Sequence, residues 1–380
     1  MNQLYVKREI QEGIESALFM GKIIVVYGAR QVGKTTLVKE IAKKYGDYSY
    51  FSCDEPDVVY ALTGKTSTEL INFLGSKKMI ILDEAQRVTN IGLTLKLLID
   101  NFPDRQFIAT GSSSFDLANR INEPLTGRKR VFHLHPLSLT ELSKVEGKNE
   151  VTRLLEHRLI YGLYPEVVFS KENSSIPLTE IVSSYLYKDV LQFGEIRNQE
   201  VVVDLLRALA LQVGSEVSYN ELSILLGIDK KTVMKYVHLL EQAFVIFRVR
   251  PWHKNKRKEL SKLRKIYFYD NGVRNAIINN LNAINLRSDV GELWENFIMA
   301  EKAKSMIAES KNMVFHFWRN YERREVDLLL ENSGKIEAFE FKWSEKAKSK
   351  IPSALKGLYP NISYTVVNRS NFWGFLSPNE

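Results

Sequence analysis

"KIIVVYGARQVGKTTLVKEIAKKY", residues 22–45, decides how the first third of the chain folds. The run through Tyr27 is apolar and β-branched, as a parallel strand buried on both faces requires. Gly28 follows, then Gly33-Lys34-Thr35, and a helical pattern starts at once. Glycines in such a strand-to-helix turn let backbone N–H groups approach phosphate oxygens. Gly28, Ala29, Arg30, Gln31, Val32, Gly33, Lys34, Thr35 and Thr36 are therefore the expected nucleotide-binding residues, with ATP as the ligand. Lys34 is expected on the β/γ oxygens and the Thr35 hydroxyl on Mg²⁺.

Other strands supply the remaining chemistry. "MIILDEAQ" ends in Asp83-Glu84, placing two carboxylates at the carboxyl end of a strand, where α/β sheets bind ligands. Asp83 is expected to hold Mg²⁺ through water and Glu84 to polarise the attacking water; the bland alternative is a pair of capping acids. "DRQFIATGSSSF" ends in Thr110, Ser112 and Ser113, hydroxyls able either to sense a γ-phosphate or to form a polar turn. In "EPLTGRKRVFHLHPLS", Arg128 and Arg130 flank the start of another strand. An arginine supplied in cis or by a neighbouring subunit is worth roughly 10³ to 10⁵ in rate, and Arg128 is the candidate; a surface arginine without such a role is the alternative.

GARQVGKT, IILDEAQ, ATGSSSF, LTGR and YGLYPEVV (161–168), in this order, resemble the AAA+-type ATPases of bacteria and archaea that carry a DUF4143 region. The resemblance runs over essentially the whole chain and implies an AAA+ core. It departs at the third strand, where Thr and Ser stand in place of the Asn of many members of the wider superfamily.

The 380 residues are 44% hydrophobic and 26% charged, an ordinary globular composition with room for two or three domains. The formal charge of +8 suits a polyanionic partner or a solvated lysine surface. A single cysteine, Cys53, excludes an internal disulfide framework and fits a reducing compartment. The start of the sequence has no long apolar run, so a cytoplasmic protein without a membrane partner is expected.

The polar, proline-bearing stretch "KENSSIPL" (171–178) reads as a linker. Three domains follow from it: residues 1–170, an AAA+ P-loop core; 171–270, helical connectors and a winged helix-turn-helix; and 271–380. In the middle domain Ser218 caps one helix, Gly227 makes the turn, and Asp229 opens a second helix with Val233, Val237, Leu240 and Phe244 on its apolar stripe. Residues 253–265 hold seven Lys/Arg against one Glu, as a wing would. Lys230, Lys231, Thr232, Lys235, Lys254, Lys256, Arg257 and Lys258 form the expected footprint on DNA phosphates. Protein docking through a solvated basic tip is the alternative.

The last third offers an amphipathic helix (GELWENFIMAEKAK), strands MVFHFW, EVDLLLEN and KIEAFEFKW, a polar helix from about residue 345, and a final strand ISYTVVN. Alternation puts Ile336, Ala338, Glu340 and Lys342 on one face of the third strand, with Glu337, Phe339, Phe341 and Trp343 on the other. This order, with Asp327 and Glu340-x-Lys342, resembles the restriction-endonuclease-like fold and its D…E-x-K signature. Asp327 and Glu340 on adjacent strands would hold Mg²⁺, Lys342 would orient or deprotonate water, and Glu295 would add a carboxylate. A Glu/Lys pair protecting a sheet edge is the structural alternative.

The fold class expected is thus α/β: a P-loop parallel sheet domain followed by a winged helix and a nuclease-like domain. One functional reading is a Mg²⁺-dependent ATPase, possible as a homo-oligomer, that acts on DNA. The other is a nucleotide-controlled switch or scaffold that binds a protein or DNA without cutting. A metabolic kinase leaves the last two domains without a task.

Overall fold

The computed structural model of the protein describes residues 5–112, 125–170, 173–183, 198–252, 263–308, 314–332 and 335–377. Ser113, Lys254, Lys256, Arg257 and Lys258 lie outside the described residues. The chain divides into two compact units. The first holds the described residues up to Leu137, with Ser183 and Gln242–Phe244; the second holds those of Ser138–Val182, Arg197–Glu241 and Val245–Glu380.

The first unit is built on a five-stranded sheet: β1 (Ile23–Gly28), β2 (Tyr48–Ser52), β3 (Met79–Asp83), β4 (Gln106–Gly111) and β5 (Lys129–Leu134), in the order β2-β3-β4-β1-β5. Every pairing is parallel. β1, β3 and β4 are buried at every position, which explains their unbroken apolar runs. The registers set Ser52 beside Asp83, Leu82 beside Ala109 and Tyr27 beside Gly111. Gly28, Asp83 and Thr110 therefore reach the same carboxyl edge, where a parallel α/β sheet takes its ligand. Helix α1 (Ile10–Ser16) precedes the sheet, and α2 (Lys34–Tyr45) leaves β1 through the glycine turn. Leu37, Val38, Ile41 and Ala42 give α2 its buried stripe.

In the second unit seven strands form one sheet. They are β6 (Glu216–Val217), β7 (Ile246–Pro251), β8 (Arg264–Phe268), β9 (Phe315–Arg319), β10 (Glu325–Asn332), β11 (Lys335–Phe341) and β12 (Ser363–Val367), in the order β12-β11-β10-β9-β7-β8-β6. The strands read as flanking a wing and those of the carboxy-terminal third are continuous through the parallel pair β7–β9, where Arg250 lies beside His316. Helix Val290–Ala308 is buried on nearly every side. Of the polar segment from residue 345, only Ser353–Leu358 is helical.

Two helices of the second unit bear out the spacing read from their caps. Ser218 accepts from Glu221 N at the start of Tyr219–Leu226, Gly227 takes φ 64°, and Asp229 accepts from Lys231 N and Thr232 N at the start of Lys230–Gln242. The stretch read as a linker differs. Ser175–Ile181 is a helix that buries Pro177, Leu178 and Ile181, because a proline in the first helical turn forgoes an N–H that has no intrahelical partner there. The compact units part at Leu137/Ser138 instead.

The YGLYPE segment is an interlock within this unit. Asp270 accepts from Leu163 N at 2.7 Å and from Val273 N at 3.1 Å. Gly272 lies so close to the Tyr161 carbonyl that a Cβ there would sit 2.0 Å from the oxygen.

Candidate nucleotide site and acidic cluster

The turn after β1 places its residues through backbone conformations that few side chains adopt: Gln31 has φ 60° and Gly33 φ 97°. Gly28 is required for a reason the motif alone does not convey. A Cβ there would lie 2.2 Å from the Leu134 carbonyl of β5. Gly33, the N-cap residue of α2, has no side chain to cap the first turn, and a helix start of this kind suits an anion, as a phosphate seat requires. Lys34, 4% exposed, donates to the carbonyls of Gly28 and Ala29 at 3.0 and 2.9 Å and lies 3.8 Å from Glu84.

Thr35 Oγ1 donates to Asp83 Oδ2 at 2.7 Å. Tyr50 donates to the same oxygen at 2.6 Å, and Thr110 Oγ1 to Asp83 Oδ1. Burial and the hydrogen bond to Asp83 push the Tyr50 phenol up, so it remains a donor. Glu84, at φ 52°, receives Gln86 Nε2, which also donates to Ser112 Oγ. The hydroxyl and carboxylate of Thr35 and Asp83 are the donor set Mg²⁺ takes beside a nucleotide, and the pair sits next to the phosphate turn. The expected residues Lys34, Thr35, Asp83, Glu84, Thr110 and Ser112 are thus brought together at one sheet edge.

Arg128 is not. Its carbonyl accepts from Ile23 N at 2.9 Å, at the amino edge of β1, roughly 16 Å of strand from the phosphate turn. Its guanidinium pairs with Asp100 at 2.6 Å. Of the two routes open to it, in cis or from a neighbouring copy, the sheet geometry does not support the first.

Three residues escaped the sequence reading. β2 was not anticipated, so Tyr50 was not; its half-buried positions lack a continuous apolar run. Arg8 donates to Val32 O in the phosphate turn at 2.8 Å and to His135 O at 2.6 Å, with no motif to announce it. The third, Lys265, belongs to the second unit.

There, Asp327 accepts from Phe341 N at 2.8 Å, and Glu340 and Lys342 pair at 2.8 Å on β11 and the residues just past it. Glu340 is 8% exposed and its Oε2 has no hydrogen-bond partner among the described residues. Phe339 and Phe341 pack on Phe375, and Trp343 on Trp294, which covers the aromatic face of this strand, while Ala338 and Glu340 are buried on the other. Burial works against the Lys342 charge, but Glu340 outweighs it and holds the ammonium above the ordinary lysine value. A group so held does not take a proton from water near neutrality.

Lys265, 1% exposed on β8, lies among the carboxylates. Its Nζ is 3.0 Å from Glu295 Oε1 and 3.8 Å from Asp327 Oδ1, and pairs with Glu325. Tyr267 donates to Glu295 Oε1 at 2.7 Å. Burial, with Glu295 and Glu340, pushes the Asp327 carboxyl well above its ordinary value. Against burial, Tyr267 and the surrounding carboxylates hold Lys265 charged. Among the described residues, no group of three or more His, Cys, Asp or Glu is arranged to hold a metal ion. The cluster anticipated as a Mg²⁺ site therefore does not fit one: an ammonium lies within reach of two of its carboxylates, Glu295 and Asp327, and pairs with a third from outside it, Glu325. Asp327, Glu340, Lys342 and Glu295 lie in one neighbourhood, in which Glu340 pairs with Lys342 while Glu295 and Asp327 face Lys265.

Residues 20–143 match the family model described as AAA domain, residues 152–283 that of domain of unknown function DUF8612, and residues 290–372 that of domain of unknown function DUF4143. An uncharacterized protein of Mycobacterium tuberculosis is 27% identical over 341 residues, spanning 88% of this chain and 74% of that protein. Another, of Methanocaldococcus jannaschii, is 26% identical over 347 residues, spanning 84% and 75%. Among solved structures, the Walker-type ATPase PABY2304 of Pyrococcus abyssi aligns with a TM-score of 0.46 and 16% identity, covering 72% of this chain and 96% of that one. The chain carries an AAA domain of the ATPase type and a DUF4143 region, as its motifs indicated. No helix among the described residues is long and apolar enough to cross a membrane.

Proposed function

We propose that the chain binds ATP with Mg²⁺ and hydrolyses it, using nucleotide state to control what its second unit binds. The carrying observation is the Thr35–Asp83 hydrogen bond of 2.7 Å beside an uncapped helix start. In this reading Lys34 neutralises the β/γ oxygens, Thr35 and Asp83 hold the ion, and Glu84 orients the attacking water. Mg²⁺ supplies charge stabilisation on the phosphoryl oxygens when bound. Arg128, at the far edge of its own sheet, can serve only a neighbouring copy, so this reading includes a homo-oligomer.

The output is DNA, met by the exposed Lys230, Lys231 and Lys235 on the second helix of the helix-turn-helix pair. Of the two outcomes there, cleavage and binding without cleavage, the second is favoured by the raised Lys342 and by the position of Lys265. The chain should turn over ATP, lose this with Lys34→Ala, and retain DNA at low salt. Plasmid cut by the parent but not by a Glu340→Ala/Lys342→Ala variant would overturn the non-cleaving reading. Turnover equal in parent and Lys34→Ala would overturn the ATPase reading.

A further inference from the structure

The acidic cluster of the second unit resembles a metal site in its residue types and departs from one in its occupant. Three carboxylates from two elements, Glu295 on helix Val290–Ala308 and Glu325 and Asp327 on β10, face one buried ammonium. Tyr267 fixes Glu295 from the same strand that carries Lys265, and Arg319 lies 3.7 Å from Glu325 on the outer side. Beyond these, Glu340 presents a buried oxygen without a partner among the described residues. An open cleft of about 860 Å³, lined in part by Gly214, Glu216, Arg319 and Glu325, leads to the cluster.

We propose that Lys265 is the resident cation of this cluster, an ammonium built into the chain in the seat that the D…E-x-K arrangement would otherwise give to a divalent ion. An ammonium at hydrogen-bond distance from Glu295, paired with Glu325 and 3.8 Å from Asp327, fills the space and balances the charge that would draw a metal in. Burying carboxylates together requires a cation or a proton, and the tethered lysine supplies the cation at every metal concentration. Taking the ammonium away leaves the same carboxylates in place with an orphaned Glu340 oxygen beside them. That is the donor set of a divalent cation site. The proposal deepens the reading of the second unit as a fold that binds without cutting, and it does not depend on ATP hydrolysis.

Mn²⁺ is the probe, followed by electron paramagnetic resonance on the full chain without nucleotide. Asp83→Ala is included throughout to remove the ion site of the first unit. This parent is expected to take up no Mn²⁺ stoichiometrically; one ion per chain, released by Asp327→Asn, would overturn the proposal. Adding Lys265→Met is expected to create one site, at least about tenfold tighter than anything in the parent, that raises the melting temperature on Mn²⁺ addition and is lost with Asp327→Asn. A folded Lys265→Met protein that binds Mn²⁺ no more tightly than the parent would also overturn it. If Lys265→Met melts too low to titrate, Lys265→Met/Glu295→Gln, which removes one charge of each sign, is expected to recover most of the lost melting temperature. A double variant no more stable than the single one counts against the proposal. None of these readouts changes if ATP turnover proves absent, so the two readings fail separately.

Discussion

Thr35 and Asp83 are joined by a 2.7 Å hydrogen bond between the first turn of α2 and the end of β3. Tyr50 meets the same carboxylate oxygen at 2.6 Å from the neighbouring strand, so the orientation of Asp83 is set from two sides. Tyr50→Phe removes one neutral donor and little volume, which is worth about 1 kcal/mol. ATP turnover should fall by about fivefold and need more Mg²⁺ for half-maximal rate, whereas Asp83→Ala should lower it by about a hundredfold or more. Steady-state rates over a Mg²⁺ series separate the two. A Tyr50→Phe enzyme with an unchanged Mg²⁺ requirement would show that the phenol does not position the carboxylate.

Arg8 makes a different kind of contribution. Its guanidinium is buried and bonds the carbonyls of Val32 and His135, tying the phosphate turn to the end of β5. Truncation strands those carbonyls, and hydrogen bonds of a charged donor are worth about 1.5–3 kcal/mol each. Arg8→Ala should therefore lower the melting temperature markedly and raise KM for ATP more than it lowers kcat; Arg8→Lys should recover only part, because one ammonium cannot reproduce the forked geometry.

What was legible in the sequence follows from how each feature is encoded. The phosphate turn, Asp83 and the D…E-x-K residues announce themselves because their chemistry demands fixed residue types at fixed spacing along a strand or turn. Lys265 carries no such mark: it reaches Glu295 and Asp327 only because β7 pairs with β9 and so draws β8 into the carboxy-terminal sheet. For Arg128 the sequence left action in cis and from a neighbouring copy open, although the signal against the first was present. A residue that precedes a parallel strand must lie at its amino edge, opposite the edge that holds ligand. Pro177 misled in the usual way, since a proline in a first turn and a proline in a linker look alike without their packing.

If Arg128 serves a neighbouring copy, its loss should matter only where copies meet. Arg128→Ala is expected to match the parent in turnover at dilutions where the solution mass, measured with a nonhydrolysable ATP analogue, is that of one chain. At concentrations where the mass rises, the variant should fall behind by about a thousandfold, the range of an arginine acting in trans. A variant equal to the parent at every concentration removes Arg128 from the mechanism.

The interlock at YGLYPE allows a sharp comparison between two glycines. A Cβ at Gly272 would stand 2.0 Å from the Tyr161 carbonyl oxygen, whereas one at Gly21 meets nothing within 4 Å, though its φ is +65°. Backbone cannot step aside as the end of a side chain can. Gly272→Ala should cost about 3 kcal/mol or more, and Gly21→Ala about 1 kcal/mol from its left-handed backbone alone. Urea unfolding of both variants decides it, and equal midpoints would show that helices Leu155–Tyr161 and Asn271–Ile277 can separate without loss.

Acid should act on the second unit through Asp289. Burial pushes its carboxyl up, but hydrogen bonds from Arg287 and Arg274 outweigh that and hold it below its ordinary value of 3.8. Both arginines are themselves buried, and Arg287 Nη2 lies 2.8 Å from Asp289 Oδ2. Between the lowered folded value and 3.8, the unfolded chain binds more protons than the folded one. The stabilisation from this carboxylate is therefore complete above the ordinary value and drains away as pH falls through the folded value. Asp289→Asn abolishes the titration and leaves two arginines without their counter-charge, a loss on the order of 3 kcal/mol at pH 7. Urea midpoints at pH 7, 5, 4 and 3 should start lower for the variant and fall less steeply between pH 4 and 3 than those of the parent. Parallel lines over that interval would assign the acid sensitivity to another carboxylate.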